Sequence, residues 1–422
     1  MKTFFRITVT ICAILFIFSH PVGAQQGFEW KSKPPKDIPF KKSKDITGIY
    51  FTGVYKNDYC NADTWYFSWA SDGKLYSPFA DGVVNGMRSV CWNPNAIAGY
   101  AVMSGDDPQH LKYEVTGLFP LPAQPYGGRY PCGSLVYNGV WYYGSYCLMN
   151  ENGRIESDIQ VPDLGRINWG VLGPFCGFHI NSKLDDPKME NNWIPSPFDC
   201  GKPMFPEPQS MGKAVKIGAP HFVDFGKNME HSPDGYAYLV AHGATDDDPK
   251  PRFANLSWIN GDHIYLFRVK PGIETMNDPS AYEFYAGKDK KNKDIWSKNF
   301  NDLKPLIDWN NNCGCVTVTY NAALKKYLMC VTDGWPTTKT MNSYILESDN
   351  LTGPWKLVTY MENFGVQGFF LNFPTPFISN DGETAWLCYS ANFAYDTSGK
   401  NSNPPGSVSG LILQQVRFLR KK

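Results

Sequence analysis

Alternation of apolar and polar positions, the period of a half-buried strand, is the dominant pattern along this chain. It recurs in five stretches of one kind. They read "ADTWYFSWASDGKLYSPFADG", "YPCGSLVYNGVWYYGSYCL", "GAPHFVDFGKNMEHSPDGYAYLVAHGA", "NNCGCVTVTYNAALKKYLMCVTDG" and "LNFPTPFISNDGETAWLCYSANF". Each holds a strand, a turn and an aromatic-rich second strand. The turns fall at Asp72-Gly73, Asn138-Gly139, Asp234-Gly235, Asn321-Leu324 and Asp381-Gly382. Asp-Gly and Asn-Gly supply the positive φ angles that tight hairpins need.

A weaker strand pair follows most copies: "GYAVMSGDDPQHLKYEV", "GVLGPFCGFHINS", "HIYLFRV", "NSYILESDNLTGPWKLV" and "SGLILQQVRFL". Four strands recurring at intervals of roughly 60–95 residues predict an all-β, five-bladed β-propeller with four-stranded antiparallel blades. A two-sheet sandwich would not regenerate the same inner hairpin five times. The domain is expected to span 46–422, with the strand near Gly48–Tyr55 completing the last blade. The Lys- and Pro-rich segment 25–45 reads as a solvated arm.

Composition narrows the class. The chain has 422 residues, a formal net charge of zero and 15% aromatic residues. Neutrality argues against nucleic acid and membrane surfaces as partners. Residues 1–24 read as a secretory signal. Lys2 and Arg6 precede the apolar run Ile7 to Phe18, and Val22-Gly23-Ala24 offers small residues for cleavage after Ala24. A secreted or periplasmic, monomeric protein is expected, with no insertion into a membrane. Export permits disulfides among the cysteines that remain once Cys12 leaves with the signal. Cys132 and Cys147, and Cys315 and Cys330, lie nearly symmetrically about their turns and are candidate cross-hairpin pairs, with free buried thiols as the alternative. The C-x-C of Cys313 and Cys315 lacks a second pair for zinc.

Propeller geometry gathers the start of each inner strand and the end of the next strand on one face. Those positions hold Asp63 and Asp81, then Tyr130, Ser134 and Tyr146, then His221 and His242. Asn312, Asp333 and Trp335 follow in the fourth copy, Asn372 and Asn392 in the fifth. Carboxylates, imidazoles, amides and aromatic faces in one funnel suit a sugar, whose hydroxyls hydrogen-bond while its C–H face stacks. No cofactor is implied, although Asp246-Asp247-Asp248 is a candidate for structural calcium. Nucleophile-elbow, nucleotide-loop and zinc-protease motifs are absent from the sequence.

The arrangement resembles the five-bladed propeller glycoside hydrolases of the arabinanase, β-xylosidase and invertase type. Ala62-Asp63 stands where arabinanase-type members begin their first blade with Ala-Asp. Gly218-Ala219-Pro220-His221 stands where they carry Glu-Gly-Pro-His, so the Pro-His matches and Gly218 replaces the glutamate that serves as acid. Ser134 stands near the place of their second-blade aspartate. The resemblance implies a glycoside hydrolase with Asp63 as base or nucleophile, and leaves Asp81, Asp333 and Glu230 as candidate acids. His221 and His242 are candidates to orient the sugar or carry the proton, and Trp335, Tyr130, Asn312 and Asn372 to bind it. Without an acid, the same platforms would make a carbohydrate-binding propeller that turns nothing over.

Overall fold

The computed structural model describes residues 26–149, 160–161, 165–166, 170–208, 213–246, 257–334, 339–391, 399 and 401–421. It is all-β, with antiparallel sheets and only short 3-10 turns among the described residues. No helix is long and apolar enough to cross a membrane.

All five expected hairpins form. Ser68–Trp69 pairs with Leu75–Phe79, and Gly128–Tyr137 with Val140–Leu148. His221–Asp224 pairs with Ala237–Gly243, Val316–Asn321 with Lys326–Asp333, and Phe369–Asn372 with Thr384–Ser390. Local chemistry fixes the turns. Asn138 and Gly139 both hold positive φ, +49° and +76°, as a two-residue type I′ hairpin demands. In the first and third copies one aspartate organises the turn identically. Asp72 accepts from Lys74 N and Tyr76 Oη, and Asp234 from Tyr236 N and Tyr238 Oη.

The strand count per unit is not uniform. The first sheet has four strands and the second has three among the described residues. The third and fourth join into one ten-stranded sheet through the parallel pair Val223↔Val318 and Asp224↔Thr319. In the fifth, Ile412–Arg420 pairs with Thr384–Ser390 on one side and with Ile46–Lys56 on the other. The amino-terminal strand thus completes the last sheet.

Neighbouring inner strands touch in succession. Val136 N donates to Ser68 Oγ (2.7 Å), and Gly133 N to Pro220 O (2.8 Å). The parallel pair links the third to the fourth. Thr317 Oγ1 and Thr319 Oγ1 donate to Leu371 O and Phe373 O at 2.6 and 2.7 Å. Asn372 Nδ2 donates to Trp65 O at 3.0 Å, which leads back to the first sheet. Between sheets the core is aromatic. Trp141 meets Tyr76 edge-on at 5.0 Å and Trp193 at 5.2 Å, contacts that add to simple area burial.

Part of the expected solvated arm is packed instead. Trp30 is buried against Phe51 and Phe364, and Ser43 donates to the buried Glu347. An indole in a Lys- and Pro-rich stretch has enough apolar area to outweigh its polar neighbours.

The cross-hairpin disulfides do not form. Cys147 bonds to Cys200, while Cys132, Cys315 and Cys330 are free and buried. Register is the reason. A bulge after Tyr143 puts Cys147 opposite Arg129, and Cys330 lies opposite Thr317, two positions from Cys315. Cys176 Sγ sits 3.0 Å from Cys147 Sγ and 3.8 Å from Cys200 Sγ. Replacing Cys200 by serine should therefore leave a Cys147–Cys176 bond, visible by peptide mass mapping. Replacing Cys147 and Cys176 together should lose about 4 kcal/mol in urea unfolding, because the native bond closes a 53-residue loop.

Candidate active site

Asp63 lies just before the first inner strand, and Asp81 just after the second strand of the same hairpin. A two-way backbone bridge ties them together: Asp63 N to Ala80 O and Ala80 N to Asp63 O, both 2.9 Å. Gly82 permits this approach, since a Cβ there would fall 2.3 Å from Asn61 O. The two carboxyl groups consequently face one cavity of about 330 Å³. Thr64, Trp92, Tyr130, Met149, Trp258, Phe369, Phe370 and Ser409 complete its wall.

The two carboxyls are held differently. Asp81 accepts Cys91 N at 2.7 Å and the Tyr130 hydroxyl, donors that favour its ionised form. Among the described residues Asp63 accepts only Thr64 Oγ1, at 2.7 Å. Both are half-buried in an aromatic surround. Burial pushes Asp81 up to about 6 despite its donors. Burial, followed by the charge of Asp81, raises Asp63 well above the carboxylate range. Burial and the neighbouring carboxylate thus favour the protonated form of Asp63, while the donors to Asp81 favour its ionised form. Of the two, Asp81 has the more hydrogen-bond donors, and Asp63, expected from the resemblance as base or nucleophile, lies beside it.

Backbone strain concentrates around this cavity. Thr64, Asp81, Met149 and Phe370 have φ of +68°, +45°, +76° and +59°. For a β-branched or bulky side chain such angles cost on the order of 1 kcal/mol or more and persist where surroundings over-determine them.

The other candidates lie elsewhere, except Tyr130. His221 and Asn372 line a separate small cavity of about 40 Å³ between the inner strands. The His221 ring lies 3.9 Å from that of Tyr66, and its Nε2 is 3.3 Å from Cys315 Sγ. Burial lowers His221 to about 3 and His242, which contacts Ser257 O, to about 4. Burial thus favours the neutral, single-N–H form of both imidazoles. Ser134 accepts from Trp141 Nε1, and Tyr146 is buried 6.1 Å from Tyr130. Asp333 is wholly buried and accepts from Tyr360 Oη at 3.2 Å. Tyr360 belongs to the same sheet, two strands away. Asn312 donates to Asn310 O and does not line the cavity. Glu230 accepts Lys227 N in a separate exposed cleft beside Trp69 and Tyr320. Trp335 and Asn392 lie outside the described residues.

At Gly218 a Cβ would stand 2.4 Å from Leu172 Cδ2, so a larger residue there would require that leucine side chain to move. Asp247 and Asp248 lie outside the described residues, and Asp246 joins no group of three metal-ligating side chains among those described. The acidic cluster Asp45, Glu347 and Asp349 surrounds the Lys326 ammonium, which is held by all three.

Sequence reasoning missed Trp92, Trp258, Met149, Phe369 and Phe370. The available signal was a tryptophan one residue after Cys91 in a loop that returns to Asp81.

No family model matches the chain, and no curated protein does. The chain is similar to several solved carbohydrate-active enzymes. One is an α-L-arabinofuranosidase of Podospora anserina in complex with cellotriose: 10% identity over 92% of this chain and 96% of that one, TM-score 0.42. Another is a β-xylosidase/α-arabinofuranosidase from a compost microbial metagenome, in complex with xylotriose in a calcium-free form: 12%, 87% and 96%, TM-score 0.41. A third is an endo-arabinase of Bacteroides thetaiotaomicron: 12%, 91% and 99%, TM-score 0.40.

Proposed function

We propose that this protein is an exported five-bladed β-propeller that hydrolyses glycosidic bonds. The observation that carries the reading is the cavity itself. Two carboxyl groups in electrostatic contact, both pushed up by burial and held by different donors, share a wall with Trp92, Trp258 and Phe370. Glycoside hydrolysis asks for one carboxylic acid and one carboxylate at the scissile bond. Asp63 donates its proton to the leaving oxygen. Asp81 attacks the anomeric carbon or takes a proton from the attacking water. The raised pKa of Asp63 keeps the acid charged with its proton at working pH. Aromatic faces hold the sugar ring by its C–H side.

The succession of inner-strand contacts supports the closed ring, and the apolar run Ile7 to Phe18 supports export. The glycine at position 218, where the resemblance would put the acid, favours a second reading, a binding propeller that turns nothing over.

A panel of plant, algal and microbial oligosaccharides, assayed with wild type beside Asp81→Asn, separates the two. Turnover by wild type that the variant loses is the expected result. Binding by both without turnover would establish the second reading. Equal turnover by both would remove Asp81 from the chemistry.

A further inference from the structure

Three cysteines from three segments meet outside the candidate active site. Cys147 stands near the end of the strand Val140–Leu148, Cys176 in the neighbouring strand Leu172–Asn181, and Cys200 in the loop that follows Met189–Asn192. All three are buried, and their Sγ atoms lie within 4.8 Å of one another. Cys147 and Cys200 are joined, which leaves Cys176 as a third sulfur at 3.0 and 3.8 Å that takes no part in the bond. Tyr126 and Val171 pack around them.

The convergence does not depend on the bond. Ser196 Oγ donates to Cys176 O at 2.7 Å, and Met204 N to Phe175 O at 3.1 Å. These contacts flank Cys200 and tie its loop to the strand that carries Cys176. Cys147 is fixed by the pairing of its own strand with Leu172–Asn181. Breaking the bond would therefore leave three thiols facing one point.

A buried charge accompanies the sulfurs. Arg129 is only 4% exposed and stands opposite Cys147 in the sheet. Its guanidinium donates to Ser145 Oγ, Pro122 O and Phe198 O, all uncharged. Among the described residues no carboxylate pairs with it. A buried cation without a counter-charge is costly. Phe198 lies two residues before Cys200. Burial raises the Cys176 thiol, and the Arg129 charge pulls it back. The guanidinium thus favours negative charge on these sulfurs.

We infer that Cys147, Cys176 and Cys200, once reduced, form a three-thiolate site for a thiophilic divalent cation, with Zn²⁺ as its ordinary occupant. A phosphine or dithiol reductant gives two electrons, with two protons, to the Cys147–Cys200 bond and is itself oxidised. The three thiols release three protons as the cation binds. Three thiolates and one divalent cation leave a single negative charge, which Arg129 cancels. Sulfur ligands on Zn²⁺ stand about 4 Å apart, near the present 3.8 Å between Cys176 and Cys200. The cation then holds the Cys200 loop to the strand the disulfide held, and to the strand of Cys176 as well.

The test uses the full chain, with Co²⁺ as the probe. Wild type reduced by a phosphine under inert gas should bind about one Co²⁺ per chain, with a thiolate-to-cobalt charge-transfer band. Zn²⁺ should displace it, because such sites bind Zn²⁺ more tightly. Wild type with its disulfide intact should show no band. Reduced Cys176→Ser and reduced Cys200→Ser each lack one corner of the triangle and should bind at least about tenfold more weakly. Cys176→Ser keeps both partners of the native disulfide, so near-UV circular dichroism before reduction checks its fold. An equal band in wild type and Cys176→Ser, or in reduced and unreduced wild type, would assign the cobalt to other thiols and overturn the inference. Absence of the band from reduced wild type, both in the folded chain and after refolding from urea with Co²⁺ present, would overturn it as well.

Discussion

Asp63→Asn and Asp81→Asn should each lower turnover of a natural glycan by roughly 10²–10⁴-fold, the range for losing a positioned acid or base. They should differ when the leaving group is changed. A nitrophenyl glycoside departs with little protonic help, so Asp63→Asn should recover most of its activity on that substrate. Asp81→Asn should not, because the anomeric carbon still lacks its nucleophile or base. Steady-state assays of both variants on both substrates make the comparison. The opposite pattern, recovery by Asp81→Asn, would exchange the two roles. The expected assignment follows from hydrogen bonds: Cys91 N and Tyr130 stabilise negative charge on Asp81, and among the described residues Asp63 has only Thr64.

The pH profile of kcat/KM should be bell-shaped, with about tenfold loss per unit on each limb. Asp81 must be ionised, so the acidic limb falls away below about pH 6. Asp63 must be protonated, so the alkaline limb marks the loss of its proton at higher pH. The two limbs belong to the interacting pair. Tyr130→Phe removes a donor to the charged form of Asp81 and should move the acidic limb upward. A limb that stays in place would show that the tyrosine does not hold this carboxylate.

The same pair has a stability signature. The folded pKa of Asp63 lies above its unfolded value. Its contribution is therefore fully present below the unfolded value, near pH 4, and is lost as pH rises through the folded value. Asp63→Asn escapes that loss, so its melting temperature should exceed that of wild type at neutral pH and converge with it in acid. The strained φ angles of Thr64 and Asp81 point the same way, since this wall is kept at the expense of stability.

Much of this architecture was legible in the sequence because it is local. Asp-Gly and Asn-Gly turns between alternating strands specify hairpins whatever their surroundings, and all five appeared. Asp63 and Asp81 were legible as cavity residues because they flank one such hairpin. What failed depended on register and loop path. Asp333 also ends a second strand, yet its side chain meets Tyr360, two strands away in the same sheet. The cross-hairpin cysteine pairs were ruled out by a bulge after Tyr143 and a two-residue offset at Cys315, which left the alternative of buried free thiols at Cys132, Cys315 and Cys330. Met149 and Phe370 reach the cavity through left-handed backbone that no propensity of methionine or phenylalanine announces. Trp92 reads as one more buried aromatic until its loop is seen to return to the carboxylate.

The pairing of Ile46–Lys56 with Ile412–Arg420 has a consequence for biogenesis. Thr47 donates to Leu419 O, 372 residues further along the polypeptide. A nascent chain emerging from the ribosome or an export channel holds an unpaired edge at Ile46–Lys56 throughout that interval, while the first four sheets can already assemble. Such an edge invites pairing with other chains, and closing so long a loop is slow. Deleting the strand Ile412–Arg420 should therefore yield aggregates rather than a soluble fragment, and chaperone demand during synthesis should fall on this one seam.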